Sequence, residues 1–474
     1  QLVDLLTREL DLNAERDVYH IDKVLDLSKL MEFDLDRDYL DASRHRDRSA
    51  SAESDGLKYR PLTPVPLRTD NFREGNGGKA GKTLEETSMF DIISRGDVIV
   101  HHPYESFENS TLRFLQEASS DEHVLAIKAT VYRTSSDSPI IQALLRAAGR
   151  GTHVAVLMEL KARFDEERNV SYAQELESAG CSVAYGLVGL KTHSKTMLVV
   201  RKEKDAPLGL RTYVHIGTGN YNPVTARLYA DFGLFSCDPK LGRDVMDVFK
   251  HLTGLHKQIE GYRTDLMVAP VFMRRQLVAK IEREIENAKE GKRAAVLIKA
   301  NGLDDRKIVA KLYEASGAGV RVDCIVRGVC RLRPGVQGGI SENVRVISTI
   351  GRFLEHHRVM VFHNDGRPEY FLGSADVMRR NLDKRVEVST LVDRVSLKRR
   401  LRDILLCYLS DDGKDAWEMM SDGTYTKNDS RSDEALHAAC FITGEELEPK
   451  TKWCMNRAKE IGTQAALMEY HQDV

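Results

Sequence analysis

The sequence is poor in cysteine, with seven in 474 residues, and none of them forms a CxxC pair. A disulfide scaffold needs many closely spaced cysteines, and a structural zinc site usually needs paired ones. The cysteine content therefore argues against both kinds of protein. It favours a reducing compartment, which is the cytoplasm.

Long apolar runs are also missing, and Gln1 is followed by neither a basic nor a signal-like apolar segment. These absences predict a cytoplasmic protein and leave peripheral attachment to a membrane open. The missing initiator Met indicates that the sequence begins inside a longer protein. The net charge is only −2, so a site for a polyanion must be a local concentration of Lys and Arg.

The length of 474 residues predicts two or three domains. Residues 1–92 are predicted to be the end of a helical domain followed by a linker. From Val98 onward, short apolar segments alternate with helical ones that end at glycine, such as Ile140–Ala148 before Gly149. This alternation predicts an α/β fold with crossover helices.

The α/β region repeats itself, because four sequence strings recur in the same order roughly 160–170 residues later. The pairs are LAIKATVYR (125–133) with VLIKANGLD (296–304), GTHVAVLMEL (151–160) with GVRVDCIVRG (319–328), HSKTMLVVR (193–201) with HHRVMVFHN (356–364), and HIGTGNYNP (215–223) with YFLGSADVM (370–378). The repeat predicts a duplicated domain with halves at 93–266 and 267–412. Residues 413–474 are predicted to hold one amphipathic helix near the end, and no function is assigned to them.

The first candidate site is the motif His193-Ser-Lys195, which leads into an apolar strand. Residues two apart on a strand face the same side, so both side chains are predicted to enter one cleft. A neutral imidazole is a competent nucleophile, and an ammonium group can hold a phosphate oxygen. The alternative interpretation is a half-exposed strand start that carries two polar residues.

The second half repeats the motif as His356-His-Arg358, and a Gly-polar turn follows in each half, at 217–220 and 373–376. Small residues let backbone N–H groups approach an oxyanion, and the Asn220 amide adds a donor. Two histidines, two cations and two turns together predict one phosphoryl-transfer site. One histidine is expected to attack, while the other protonates or binds the leaving oxygen.

The paired H-x-K/R motifs with their GTGN-like turns resemble the phospholipase D superfamily, although neither half has the Asp that usually follows the Lys there. Longer strings are similar to one branch, the polyphosphate kinase family, in its larger, histidine-autophosphorylating type. The strings are HHPYESF (101–107), KARFDEERN (161–169), HIGTGNYN (215–222) and SADVMRRN (374–381). The resemblance covers residues 1–412 and implies two phospholipase D-like catalytic domains, without the N-terminal part of the family.

The resemblance implies reversible transfer of the terminal phosphate of ATP to inorganic polyphosphate through a phosphohistidine at His193. Mg²⁺ is the implied cofactor, and Arg133 and Arg163 match positions at its site. Because a hard cation prefers oxygen ligands, we expect both arginines to clamp the phosphates instead. The nucleotide-contacting positions of the family correspond here to Tyr229, Arg327 and His356.

The implied partners are ATP or ADP and polyphosphate, with no nucleic acid, and the full-length protein is implied to be a homo-oligomer. Two alternatives stay open on the residues alone. One is a phosphodiesterase or phosphatidyl transferase of the phospholipase D type, which the paired motifs would permit. The other is a catalytically incomplete fragment that only binds polyphosphate or a partner subunit.

Overall fold

The computed structural model describes residue 59 and residues 61–67, 87–132, 138–159, 166–187, 189–254, 261–427 and 447–472. Apart from Tyr59, these residues belong to one compact unit, Arg60–Val474. Within these ranges, no helix is both long enough and apolar enough to cross a membrane. Most of the predicted helical end at residues 1–92 lies outside the described residues.

Several helices begin where the sequence supplies a cap or a proline. Asp238 accepts hydrogen bonds from the backbone N–H groups of Lys240 and Leu241, both at 2.8 Å, and Pro139 opens another helix. The α-helices are α1 (Met89–Ser94), α2 (Arg113–Ser120), α3 (Pro139–Gly149), α4 (Glu166–Ser178), α5 (Pro223–Ala226), α6 (Pro239–Leu252), α7 (Met273–Lys289), α8 (Arg306–Gly317), α9 (Arg379–Lys384), α10 (Val395–Leu409), α11 (Pro449–Ile461) and α12 (Thr463–Gln472).

The first half builds one sheet. Its strands are β1 (Val98–His102), β2 (Val124–Val131), β3 (His153–Met158), β4 (Ser182–Ala184), β6 (Lys195–Lys202), β7 (Leu210–Gly217) and β8 (Tyr229–Ser236), with β5 (Lys191–Thr192) between β4 and β6 in the chain. The order across the sheet is β1–β8–β7–β6–β2–β3–β4. The β2–β3 and β3–β4 pairs are parallel, and α3 and α4 supply the crossover connections that parallel pairs need.

The second half repeats this topology. Its strands are β9 (Met267–Ala269), β10 (Ala295–Ala300), β11 (Arg321–Val326), β12 (Val344–Thr349), β13 (Leu354–Glu355), β14 (Val359–Phe362), β15 (Glu369–Gly373), β16 (Arg385–Val392), β17 (Ala416–Met419) and β18 (Tyr425–Thr426). The order is β9–β16–β15–β14–β10–β11–β12, continued by β17–β18. The predicted duplicated α/β fold is confirmed, because seven strands correspond in order and direction.

Each half also gives one short strand to the sheet of the other. β5 pairs in parallel with the start of β16, and β13 pairs in parallel with the start of β8. The apolar contacts follow the same plan, because one buried cluster joins Leu157, Leu198 and Val214 of the first half to Val386 and Val388 of the second. The two halves are therefore held together by a reciprocal strand exchange and a shared core.

The end of the chain differs from the sequence prediction. One amphipathic helix was expected near residue 474, and the structure has two, α11 and α12. Gly462 lies between them with a φ of 92°, a left-handed conformation that favours glycine and breaks the helix.

Candidate active site

Both H-x-K/R motifs begin directly after an exchanged strand. The backbone N–H of His193 donates to the carbonyl of Val386 at 3.0 Å, and that of His356 donates to the carbonyl of Ala230 at 3.2 Å. Strand β6 begins only at Lys195, so the prediction that His193 lies on the same strand was wrong. Each histidine is anchored instead on the opposite half of the molecule.

A carboxylate from the second half orients His193. Nδ1 of His193 lies 2.9 Å from Oε2 of Glu387. Glu387 also accepts hydrogen bonds from the Asn381 amide at 2.7 Å and from the Ser374 hydroxyl. When Glu387 is ionised it only accepts, so Nδ1 then carries the proton and Nε2 keeps its lone pair.

Burial controls the protonation of this pair. It holds the pKa of His193 well below its usual range, and the charges of Lys195 and Arg385 act in the same direction. Burial also raises the pKa of Glu387 to about 7, although Lys195 and Ser374 oppose the rise. Near neutral pH the histidine is therefore an uncharged base beside a carboxyl group that titrates in the same range.

Lys195 is buried next to this histidine. Its Nζ donates to the backbone carbonyl of His193 and lies 4.9 Å from the centroid of the Tyr132 ring. Burial lowers the pKa of Lys195 to about 7. With only 8% of His193 and 2% of Lys195 exposed, the alternative of a half-exposed strand start is wrong.

The second half has the matching arrangement with the roles of the halves exchanged. Nδ1 of His356 lies 2.8 and 3.0 Å from the two carboxylate oxygens of Asp231, which belongs to the first half. The Thr218 hydroxyl donates to Asp231 at 2.6 Å. A Cβ on Gly219 would lie 2.2 Å from the Asp231 carboxylate, so the turn needs glycine there.

Arg358 differs from its counterpart Lys195 in being neutralised. Its guanidinium makes a two-pronged ion pair with Asp376, at 3.1 and 3.2 Å, and donates to the carbonyl of Thr218 at 3.2 Å. It also donates to the backbone carbonyl of His356, as Lys195 does to His193. Arg358 thus ties the two halves together, whereas no carboxylate of the described residues is bonded to Lys195.

The predicted nucleotide-contacting residues lie together. The rings of Tyr229 and His356 have centroids 5.3 Å apart. Burial and then the charge of Arg358 lower the pKa of Arg327, and Asp376 and Tyr229 act against them, so all of these groups are near one another. Nε of Arg327 is buried and has no hydrogen-bond partner among the described residues.

Asn220 lies on the side of Asp231 that faces a small cavity. It lines this cavity with His215 and Asp231, and its side-chain oxygen is buried without a hydrogen-bond partner in the described part of the chain. The predicted role of the Asn220 amide as a phosphate donor stays a prediction. The predicted clamps Arg133 and Arg163 lie outside the described residues.

The sequence reasoning missed Asp231 and Glu387, the two carboxylates that orient the histidines. Both lie at the third position of their strand, in Tyr229-Ala-Asp231 and Arg385-Val-Glu387. An extension of the repeat to these strands would have aligned the two carboxylates. Their pairing with the histidines of the other half would still not have followed, because it depends on the strand exchange.

Comparison with known proteins identifies the family of the chain. The family models described as Polyphosphate kinase C-terminal domain 1 and C-terminal domain 2 match residues 88–258 and 266–439. A polyphosphate kinase of Synechocystis sp. is 46% identical over 95% of this chain and 60% of its own length. That of Thermosynechococcus vestitus is 52% identical over 73% of this chain and 46% of its own length.

A solved structure agrees as well. The crystal structure of polyphosphate kinase from Porphyromonas gingivalis superposes with a TM-score of 0.71 and 32% identity, over 94% of this chain and 63% of that one. The present chain thus spans about half to three fifths of the two curated relatives. The chain belongs to the polyphosphate kinase family.

Proposed function

We propose that the chain carries the catalytic part of a polyphosphate kinase, which moves the terminal phosphate of ATP to polyphosphate through His193. The main support is the buried contact of His193 Nδ1 with Glu387, which leaves Nε2 as a nucleophile. Because the chain spans less than two thirds of its relatives, the activity and substrates are inferred from the family and from this geometry.

In the first step, Nε2 of His193 attacks the terminal phosphorus of ATP. The N–P bond forms while the bond to the bridging oxygen breaks, and ADP leaves with that electron pair. The ring gains positive charge in this step, and Glu387 stabilises it through the Nδ1 proton. Lys195 and Arg327 supply cations for the oxygens of the transferred group.

In the second step, a terminal oxygen of polyphosphate attacks the phosphohistidine. The N–P bond breaks, the phosphate joins the chain, and Nε2 of His193 regains its lone pair. Each step runs in either direction, since phosphohistidine and phosphoanhydride bonds are both high in energy. The same site therefore suits synthesis of polyphosphate and its use to make ATP.

The two histidines have environments that suit different roles. Burial and then Arg358 lower the pKa of His356, and Asp231 opposes that shift. Burial raises the pKa of Asp231, but His356 and Thr218 outweigh it, so this carboxyl stays ionised. Asp231 therefore offsets part of the shift at His356, whose pKa is lowered less far than that of His193. We therefore assign His193 as the nucleophile and His356 as the group that binds or protonates the leaving oxygen.

Mg²⁺ is proposed to enter with the nucleotide, bound by phosphate oxygens. The carboxylates of the site are engaged already, Asp231 and Glu387 with histidines and Asp376 with Arg358. Among the described residues, no group of three or more His, Cys, Asp or Glu side chains could hold a metal ion. The described part of the site therefore does not fit a resident Mg²⁺, and Arg133 and Arg163 remain proposed phosphate clamps.

The remaining parts of the proposal come from the resemblance and from the sequence. They are a homo-oligomer for the full-length protein and a cytoplasmic location, with peripheral attachment to a membrane left open. The proposed partners are ATP or ADP and polyphosphate.

Incubation with ATP labelled on its terminal phosphate tests the function. We expect an acid-labile, base-stable label on the chain that disappears in His193→Ala and persists in His123→Ala, which changes an exposed histidine. Label retained in His193→Ala would overturn the assignment of the nucleophile. Phosphodiester turnover without ATP would favour the phospholipase D type, and binding of polyphosphate without label would favour an incomplete fragment.

A further inference from the structure

Helix α12 buries polar side chains although it lies beyond both matched family models, the second of which ends at residue 439. Gln464 and His471 are each 2% exposed, and Thr463 is fully buried. Buried polar groups are stabilising only when they are bonded. Their partners therefore indicate what this helix holds in place.

The Gln464 side chain bridges to the segment that leads into His356. Its oxygen accepts from the Phe353 backbone N–H at 2.8 Å, and its nitrogen donates to the Phe353 carbonyl at 2.8 Å. The same nitrogen donates to Oε1 of Glu355 at 2.7 Å. A Cβ on Gly351 would lie 2.6 Å from the Gln464 oxygen, so glycine permits this approach.

Glu355 is the centre of a buried network. Its Oε2 accepts from Lys299 Nζ at 2.9 Å and from the Tyr408 hydroxyl at 2.7 Å, while Gln464 binds the other oxygen. Both Lys299 and Glu355 are almost completely buried. Four elements, β10, β13, α10 and α12, therefore fix one carboxylate.

This carboxylate stands directly before His356 in the chain. The strand β13 has only two residues, and two backbone hydrogen bonds hold its segment along β8. The Leu354 N–H donates to the carbonyl of Leu228, just before β8, at 2.9 Å, and the His356 N–H donates to that of Ala230 at 3.2 Å. Such a short ladder gives little rigidity by itself. Gln464 adds three hydrogen bonds to the two residues Phe353 and Glu355 of the segment that leads into His356.

The far end of α12 contacts β1, a second strand that is paired with β8. Nε2 of His471 lies 3.0 Å from Nδ1 of His101 on β1, and Nδ1 of His471 lies 3.3 Å from Arg400. Arg400 in turn pairs with Glu105 at 2.8 Å. The helix thus contacts two of the three strands paired with β8, namely β13 at its start and β1 at its end.

The first half has a different arrangement at the equivalent place. The N–H of Thr192 on β5 donates to Glu159 of the same half at 2.7 Å. His193 therefore does not depend on α12 through this route, whereas His356 does. A defect in α12 should consequently affect the role of His356 and leave the orientation of His193 intact.

We propose that Gln464 is a positioning residue for His356, and that α12 is part of the catalytic unit. The kinetic part of this proposal rests on the proposed kinase activity. Gln464 acts through position: without its amide, Phe353 and Glu355 lose three hydrogen bonds. The His356 ring then shifts relative to the leaving oxygen. Misplacement of a reacting group by 1 Å can cost roughly 100-fold in rate.

The test compares Gln464→Leu with Gln472→Leu, which changes an exposed residue of the same helix. We expect Gln464→Leu to lower kcat roughly 10- to 100-fold with KM for ATP changed less than about threefold. The control should keep the wild-type values. Equal kcat in both variants, or a loss in proportion to the fraction of unfolded chain seen by circular dichroism, would overturn the proposal.

Gln464→Glu adds a readout that simple destabilisation would not give. The introduced carboxyl group faces Glu355; in its ionised form it cannot donate a hydrogen bond to that residue, whereas in its protonated form it can. The other titratable groups around it are Lys299, Tyr408 and Asp415. Activity relative to wild type should therefore recover as the pH falls. A ratio that does not change with pH would contradict the proposal.

An NMR measurement separates this proposal from the kinase assignment. The histidine ring signals of isotope-labelled wild type and variants are compared. The His356 signal is identified by its loss in His356→Gln. The His356 signal should move or broaden in Gln464→Leu and stay in place in Gln472→Leu. If ATP does not label the wild-type chain but the His356 signal still changes in Gln464→Leu, the kinase assignment fails and the positioning role stands. If the His356 signal is the same in Gln464→Leu and wild type, the positioning role is overturned.

Discussion

Glu387 of the second half accepts the Nδ1 proton of His193 in the first half, across 2.9 Å. This contact sets the tautomer of the ring and joins the two halves at the reacting atom. Glu387 is also held by Asn381 and Ser374, so its position does not depend on the histidine. The nucleophile therefore exists only when both halves are assembled.

Glu387→Gln should slow formation of the phosphohistidine by roughly 100- to 10,000-fold. The amide can turn its N–H₂ group toward Nδ1, which then accepts a bond and places the proton on Nε2. Single-turnover labelling with ATP measures the rate. Glu286→Gln, which changes an exposed glutamate on α7, is the control and should label like wild type; a similar rate in both variants would contradict the role of Glu387.

The sequence predicted much of the fold because its signals are periodic and local. The strand Val124–Val131 and the helix around Ile140–Ala148 follow from hydrophobic patterns, and the repeat indicated two halves. The strand exchange could not be predicted, because β5 and β13 have two residues each and show no period. The partners Asp231 and Glu387 follow from that exchange, and they are 125 and 194 residues from their histidines.

The pH dependence of labelling should report Lys195. Its pKa is lowered to about 7, so it is charged below that pH and loses its proton as the pH rises through it. His193 stays neutral over this range because its pKa is well below its usual value. Glu387, whose pKa is raised to about 7, ionises over the same range and then favours the reactive tautomer of His193. The rate at limiting ATP, which reflects the free enzyme, should therefore pass through a maximum near pH 7, and its decrease at higher pH reports the loss of the Lys195 proton.

Lys195→Arg separates this effect from other ionisations. A guanidinium keeps its charge at every accessible pH. The decrease in labelling rate at high pH should therefore move to higher pH in this variant, even if its absolute rate is lower than that of wild type. The measurement is the same labelling rate between pH 6 and 9. An identical pH profile for the variant and wild type would show that another group titrates.

Asp231 and His356 should act as one unit. Asp231→Asn and His356→Gln are each expected to lower the labelling rate, because the first removes the charge that favours a protonated ring and the second removes the ring. The double variant should be no slower than His356→Gln alone. Independent, multiplicative effects would show that Asp231 serves some other group.

Gly219→Ala should damage the site through Asp231. The added methyl group would lie 2.2 Å from the carboxylate, so either the turn or Asp231 must move. We expect a loss of roughly 1–3 kcal/mol in the free energy of unfolding, together with a lower labelling rate. Urea unfolding and single-turnover labelling measure the two effects.

Gly149→Ala is the matched control for that change, because no atom lies within 4 Å of its added Cβ and it ends helix α3. Alanine has the higher helix propensity, so this variant should be as stable as wild type or slightly more stable. The two substitutions add the same methyl group to the same half of the molecule. If both leave stability and labelling unchanged, the turn at Gly219 does not hold Asp231 against His356 as the structure indicates.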